Sequence, residues 1–254
     1  MSKWLAENMP VMTGLVTAMV ALFGIILTTV SLIMTGRQNK AHRAAMKEDR
    51  EAAKLQFEAQ REAMQADREA ARSQRFSRAI EHLKDESLHI RMGALYELQR
   101  LGLEAPREQK SITHILSRYI RDRIENPTCL HPSRIYANKH RPSEDVTLSC
   151  EVVAHFSTPN NWLKLHYLKA SNVDFGGIPL QRAELKGANL YGAIFSSNNF
   201  LGTNFKEANL AGADFSNAKS LTVAQLLEAN VDDTTLLDPD LRAEYERLKI
   251  GGPP

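Results

Sequence analysis

Cysteine is scarce in this chain, with only Cys129 and Cys150 among 254 residues. No disulfide framework is expected, and no C-x-x-C pair is present to build a zinc knuckle or a redox dithiol. An excess of charge of one sign is also lacking, at 32 basic against 30 acidic residues, which argues against a nucleic-acid binder driven by bulk charge. There is no Gly-rich phosphate loop, no nucleophile elbow and no H-E-x-x-H, so no catalytic constellation stands out. Two absences are local. Charge is missing from residue 8 to residue 36, and Pro and Gly are missing from residue 37 to residue 75.

The first local absence reads as a membrane anchor. A helix over Val11 to Thr35 is about 37 Å long, enough to cross a hydrocarbon core of about 30 Å with some tilt. Pro10 sits where such a helix is expected to start. A cleaved signal peptide is the competing reading. Its apolar region would be shorter, and here a basic tract follows in place of an A-x-A-like site. Arg37, Lys40, Arg43 and Lys47 flank the span, whereas the N-terminal tail offers Lys3. The positive-inside rule then places the C-terminal bulk in the cytoplasm and the N-terminus outside, in a single-pass protein. The same four residues can touch anionic headgroups of the bilayer. Gly14 with Ala18 and Gly24 with Thr28 are small-xxx-small pairs through which two spans can approach.

The second local absence reads as a helical stalk. Ala, Glu, Arg, Gln, Met and Lys dominate it, and Arg-Glu-Ala recurs at Arg50, Arg61 and Arg68. Met46, Ala53, Phe57, Met64 and Ala71 trace an a/d seam, which Gln60 and Asp67 weaken. A single charged helix and a coiled coil fit equally, so homo-oligomerisation through the span or the stalk stays open.

Around Phe76 the apolar pattern becomes that of packed helices. Phe76, Ala79, Ile80 and Leu83 share one face. Ser87 is placed to cap a second helix with Ile90, Ala94, Leu95, Leu98 and Leu101 on its inner side and Gly102 near its end. Pro106 opens a third, bearing Ile112, Ile115, Leu116, Tyr119, Ile120 and Ile124, and Asn126-Pro127 ends it. The runs Arg75–Leu83 and Ile90–Leu98 are similar to a segment that joins span and repeats in bacterial membrane-anchored pentapeptide-repeat proteins. Gly93 is expected to permit close helix contact, and Arg91 and Glu97 to be surface or hairpin-pairing groups.

The last third has a period of five. Phe175, Leu180, Leu185, Leu190, Phe195, Phe200, Phe205, Leu210 and Phe215 are the centres. Two residues earlier stand mostly small side chains, at Val173, Ala183, Ala188, Ala193, Thr203, Ala208 and Ala213, with Ile178 and Asn198 as larger variants. Asp174, Asn189, Asn199, Asn204, Asn209 and Asp214 directly precede centres. Neither an α-helix nor a flat strand buries such a period. The pattern resembles the pentapeptide-repeat family. That resemblance implies a right-handed β-helix of square cross-section with four repeats per coil, centres and small residues inward, and the other three positions in water. Leu163, Leu165, Leu168 and Ala170 extend the register backwards imperfectly, and Asn198 marks a less regular corner. A short array must be covered at its ends. Glu144–Phe156 is expected to lead in as a helix, while Thr222–Gln225 is a capping box and Asp238-Pro239 opens a last helix closed by Gly251.

The expected fold is therefore α+β: a single N-terminal transmembrane helix, a long helical stalk, a small α-helical hairpin region, and a short right-handed quadrilateral β-helix with helical caps. The segments are a tail (1–10), the span (11–35), the stalk (36–75), the hairpin domain (76–126), a linker and cap helix (127–158), the β-helix (159–219) and a C-terminal cap and tail (220–254).

The function this supports is a non-enzymatic, membrane-tethered interaction protein with an unidentified protein partner, no cofactor and no nucleic acid, in the inner membrane of a bacterium. A membrane-associated regulatory or stress and defence effector acting through oligomerisation is the alternative. DNA mimicry toward a topoisomerase, as some family members perform, needs an acidic rod, and residues 170–219 hold four acids and four bases. A metal site would have to come from Cys129, His131, His140, Cys150, His155 and His166, whose spacing fits no zinc motif. The outward positions Arg182, Glu184, Lys186, Tyr191, Asn199 and Lys206 are the expected binding face.

Overall fold

The structure is a computed structural model that describes residues 2–133, 136–156 and 162–251, with side chains from residue 8 onward. The expected start of the array at residue 159 and the last three residues lie outside the described ones. The chain divides into two units, Met1–Ala70 and Ala71–Pro254.

The first unit is helix throughout its described length. Helix α1 runs Ser2–His82 without interruption, so no break falls at 10, 35 or 75. Pro10 lies inside the helix and does not open it. Its missing N–H forfeits one hydrogen bond, to the carbonyl four residues back, and so early in a long helix that loss does not stop propagation. Hydroxyls in the apolar stretch fold back on the helix itself. Thr17 Oγ1 donates to the Thr13 carbonyl at 2.7 Å, and Thr29 Oγ1 to that of Ile25 at 2.9 Å. Every side chain from Met9 to Ala70 is exposed, and Gly14 and Gly24 have open space where a Cβ would stand.

In the second unit the end of α1 packs with three more helices. These are α2 (Leu88–Glu104), α3 (Gln109–Glu125, after a 3-10 turn opened by Pro106) and α4 (Glu144–His155). Ala79 and Leu83 are buried with Leu95 and Leu98 of α2, Ile112, Leu116 and Ile120 of α3, and Val146, Val152 and Val153 of α4. Helix α4 packs on both α2 and α3, so it belongs to the helical region as well as leading toward the repeat.

Several local roles differ from those read in the sequence. Ser87 occupies the N-cap position but makes no side-chain cap bond; its N–H instead donates to Asp85 Oδ1 at 2.8 Å. Gly93 is exposed with nothing within 4 Å of a Cβ, so it serves no close contact within the chain. Gly102 does: a Cβ there would stand 2.4 Å from Cζ of Phe156. The end of the ring occupies the space a Cβ would need, so Gly102→Ala is expected to destabilise the helical region by about 1–3 kcal/mol through overpacking. A lowered urea midpoint for the full chain in detergent checks this.

The β-helix follows. Parallel bridges link residues twenty apart, as in Lys164↔Glu184↔Asn204 and Asp174↔Ile194↔Asp214, so four five-residue repeats make one coil. From Ile178 to Ala218 each corner is a turn in which the inward residue donates its N–H to the carbonyl of the preceding centre, as Ala183 does to Leu180 at 3.0 Å. The residue before the small one has positive φ in every repeat from Tyr167 to Asn217, consistent with a type II turn. Where that residue is Arg182 (φ 58°) or Glu207 (φ 60°), a Cβ-bearing residue holds the left-handed conformation. The Asn or Asp that precedes six of the nine centres has a local reason too. Its side-chain oxygen accepts the N–H two residues on, at Asp174, Asn189, Asn199, Asn204, Asn209 and Asp214 alike.

The nine centres are all buried, as are Leu163, Leu165, Leu168 and Ala170, so the first coil begins upstream of the clean repeats. Phe175, Phe195 and Phe215 stack in one column, with centroids 5.2 and 4.9 Å apart. Asn198 keeps the regular corner. Its Nδ2 donates to the Phe175 and Ile178 carbonyls of the coil before at 3.1 and 2.7 Å, as Thr203 Oγ1 does to Leu180 at 2.8 Å.

Both edges of the array are paired. On the first coil, Lys164 N–H donates to Ser117 Oγ at 3.2 Å, Lys169 N–H to Glu125 Oε1 at 2.9 Å, and Arg121 donates to the His166 carbonyl at 2.6 Å. A hairpin of β1 (Leu130–Pro132) and β2 (His140–Pro142) supplies a further side: Asp174 N–H donates to the His140 carbonyl at 2.7 Å. The stretch read as a linker is thus partly sheet. At the other edge, helix α5 (Val223–Leu227) is opened by a capping box in which Thr222 and Gln225 satisfy one another's backbone N–H. Gln225 Nε2 also reaches the Phe200 and Thr203 carbonyls at 2.9 and 2.7 Å. Asn230 and Leu236 then continue the ladder, and α6 (Pro239–Gly251) follows.

Candidate interaction surface

With both edges paired, what the β-helix leaves is its four faces. The first face carries Lys164, His166, Glu184, Lys186, Asn204 and Lys206. Its polar groups are laddered along the array: Asn204 Nδ2 donates to Glu184 Oε2 at 2.8 Å, and Lys186 Nζ lies 3.6 Å from Glu207 Oε1. The second face carries Asn189 and Asn209, bonded at 3.3 Å, beside the exposed Tyr191. Tyr167, also exposed, lies over Gly187, where a Cβ would stand 2.5 Å from its ring. The fourth face carries Arg182, Asn199 and the exposed Leu201.

The third face is not open, contrary to the expectation that outward positions meet water. Ser133 Oγ donates to Asp174 Oδ2 at 2.9 Å, Tyr136 Oη and Ser196 Oγ are 2.9 Å apart, and Arg141 donates to the Gly176 carbonyl at 3.0 Å. Lys139 Nζ bonds the Gly192 carbonyl at 2.6 Å and Asn172 Oδ1 at 2.9 Å. Under this cover Ile194 and Asp174 are buried, although both hold outward positions. The six residues expected to form one binding face are therefore divided. Glu184, Lys186 and Lys206 share the first face, Tyr191 is on the second, and Arg182 and Asn199 are on the fourth.

The sequence also misplaced Arg91 and Ile90 on α2. Arg91 is buried and Ile90 is 41% exposed, the reverse of the expectation. Arg91 Nε meets the fully buried Asp145 at 2.5 Å, and its Nη1 donates to the Asp85 and Glu86 carbonyls at 2.9 and 2.7 Å. Tyr119 and Ser143 hydroxyls donate to the same carboxylate, and Arg123 Nε lies 3.6 Å away. Burial alone would raise the Asp145 pKa. The hydrogen bonds from Ser143, Tyr119 and Arg91, with the charge of Arg123, outweigh it and hold the carboxyl below its usual range. Burial, then the Asp145 carboxylate, pushes Tyr119 up. Glu97 is the surface pairing group expected, between Arg75 at 3.4 Å and Arg100 at 2.9 Å. The Arg91 cluster ties α2, α3 and α4 together.

The Cys and His residues weighed as metal ligands are dispersed. Cys129 lies 3.1 Å from Arg123 Nη1, Cys150 is buried in α4 with its thiol pKa pushed up by burial, His155 packs on Phe156, and His166 lies 3.7 Å from Glu184. Among the described residues no group of three His, Cys, Asp or Glu stands close enough to hold a metal.

The array is thus built of coils of four five-residue repeats, with an Asx bond before six of its nine centres. A family model of pentapeptide repeats matches residues 183–219, in 8 copies. This segment is a pentapeptide-repeat module. A pentapeptide repeat protein from the cyanobacterium Cyanothece 51142 is 24% identical over 30% of this chain and 54% of its own, with a TM-score of 0.16. QnrB1, a plasmid-mediated fluoroquinolone resistance protein, is 20% identical over 36% of this chain and 42% of its own, with a TM-score of 0.19. The chain thus spans about half the length of these solved structures. No curated protein matches. The family match begins at Ala183, one coil after the buried register starts at Leu163. The pentapeptide-repeat signature weakens in that first coil, whose edge carries bonds from α3 and β2.

Proposed function

We propose that this chain is a non-enzymatic, membrane-tethered interaction protein that presents its pentapeptide-repeat module in the cytoplasm to a protein partner. The observation that carries the reading is the apolar stretch of α1. It reaches a mean hydropathy of 2.4 over 18 residues, with none of that window buried. A helix of that composition left bare to water would forfeit the burial that the apolar residues of the helical region and the repeat find. Arg37, Lys40, Arg43 and Lys47 follow it, exposed, on the side that the positive-inside rule assigns to the cytoplasm. The span then crosses once with its N-terminus outside, in the inner membrane of a bacterium. Helices at either end of the array act as its caps, so recognition falls to the first, second and fourth faces.

Two experiments test this. Full-length protein should resist alkaline carbonate extraction from membranes, and protease added from the N-terminal side should spare the repeat; release into the wash would sink the tether. For recognition, Lys186→Glu with Lys206→Glu, and separately Tyr191→Ala, should each leave the fold intact. Loss of a co-purifying protein in either, with membrane insertion unchanged, locates the binding face. Identical partners in both variants and in wild type would move recognition away from these two faces.

A further inference from the structure

We propose that residues 43–71 pair in parallel with the same segment of a second copy of this chain. The stalk holds a four-heptad register with Phe57, Met64 and Ala71 at a and Met46, Ala53 and Gln60 at d. Its charges sort by position. All four e positions are basic (Lys47, Lys54, Arg61, Arg68), and the acids concentrate on the outer b and f positions as Glu48, Glu51, Glu58, Glu62 and Glu69. Every c position is alanine, at 45, 52, 59 and 66. Positions c, g, d and a are neighbours around a helix, so the side chains of low charge form one arc and the e, b and f residues the other. In the structure this arc has no cover: Met46 is 45% exposed, Phe57 61% and Met64 49%.

The charge pattern selects the occupant and its direction. In an antiparallel pair, e positions of the two helices face each other, and four bases would meet four bases. In a parallel pair, g of one helix faces e of the other. The g positions are Asp49, Gln56, Ala63 and Ala70, so no repulsion arises along the flanks of the seam and Asp49 meets Lys54 of the second copy. A segment that is self-complementary in one orientation and self-repelling in the other is built for its own kind. Asp67 at d is the weak point of the seam, and Arg43 and Arg50 at a leave its first turns looser. The pairing adds an oligomeric scaffold to the function proposed above, yet stands on the stalk charges and not on the anchor.

The test uses the full chain with Cys129→Ser, in liposomes and again after detergent extraction; Cys150 is buried and stays. Single cysteines go to the seam (Phe57→Cys, Met64→Cys) or to the outer arc (Glu58→Cys, Glu62→Cys), followed by mild oxidation. Seam positions should give covalent dimer about fivefold or more above outer positions in both settings, and Asp67→Leu should raise the Met64→Cys yield. Lys54→Glu should lower the yield, and Asp49→Lys added to it should restore it. Equal yields at all four sites, or none, overturn the proposal. So does linkage of Met46→Cys to Ala71→Cys in mixed chains without linkage of either to itself. A protein that washes off membranes yet crosslinks at the seam in detergent would end the tether and leave the pairing standing.

Discussion

Phe195→Ala should cost about 3–5 kcal/mol of stability, the upper range for deleting a buried ring. Phe195 is fully buried in the middle coil, stacked between Phe175 and Phe215 and edge-on to Phe200 at 5.4 Å. The void has little means of closing. The backbone on either side is held by Phe195 N–H to Asp214 carbonyl at 2.8 Å and Ile194 N–H to Val173 carbonyl at 2.9 Å, so neighbouring coils cannot sink inward without breaking their ladder. Each coil is stable only against its neighbours, and the middle coil has one on both sides. Urea titration of the full chain in detergent, followed by far-UV circular dichroism, reads the loss. Phe195→Leu, which keeps most of the volume, should cost about 1–2 kcal/mol. A loss from Phe195→Ala below about 1.5 kcal/mol would show that the coils relax around the gap after all.

Asp145→Ala should cost about 3–5 kcal/mol as well, for an electrostatic reason. The substitution leaves Arg91 buried without its counter-charge, and strips the Tyr119 and Ser143 hydroxyls of their acceptor. Replacing both partners, Arg91→Met with Asp145→Leu, should recover most of the loss, because the desolvation cost of the two charges then disappears as well. The same carboxylate sets an acid limb. Its folded pKa is depressed, so its contribution is full above the unfolded value of about 3.9 and is lost as pH falls from there through the folded value. Stability measured from pH 6 downward should therefore fall less steeply in Asp145→Ala than in wild type. Parallel acid limbs in the two proteins would mean that Asp145 is not held ionised.

Local chemistry made much of this legible in advance. A period of five needs no tertiary context to be seen, because each repeat places its own centre, small residue and Asx turn within five residues. The long helix was legible too, from composition, but its ends were not. Pro10 and Thr35 stand at the ends of the expected span, whereas α1 runs through both. At Gly93 and Gly102 the sequence offered two glycines on one helix with no means of ranking them. The contact that distinguishes them, with Phe156, comes from a residue more than fifty positions away.

The sequence by itself determined the bare apolar stretch, the basic residues after it, the charge-sorted stalk and the inward register of the repeats, because each is a pattern of neighbours along one chain. The tertiary structure decided which outward positions are free, since the cover on the third face arrives from Ser133, Tyr136, Lys139 and Arg141. It also decided that Arg91 turns inward and Ile90 outward. Burying a guanidinium is tolerable only where a carboxylate meets it, and Asp145 stands 54 residues further along the chain.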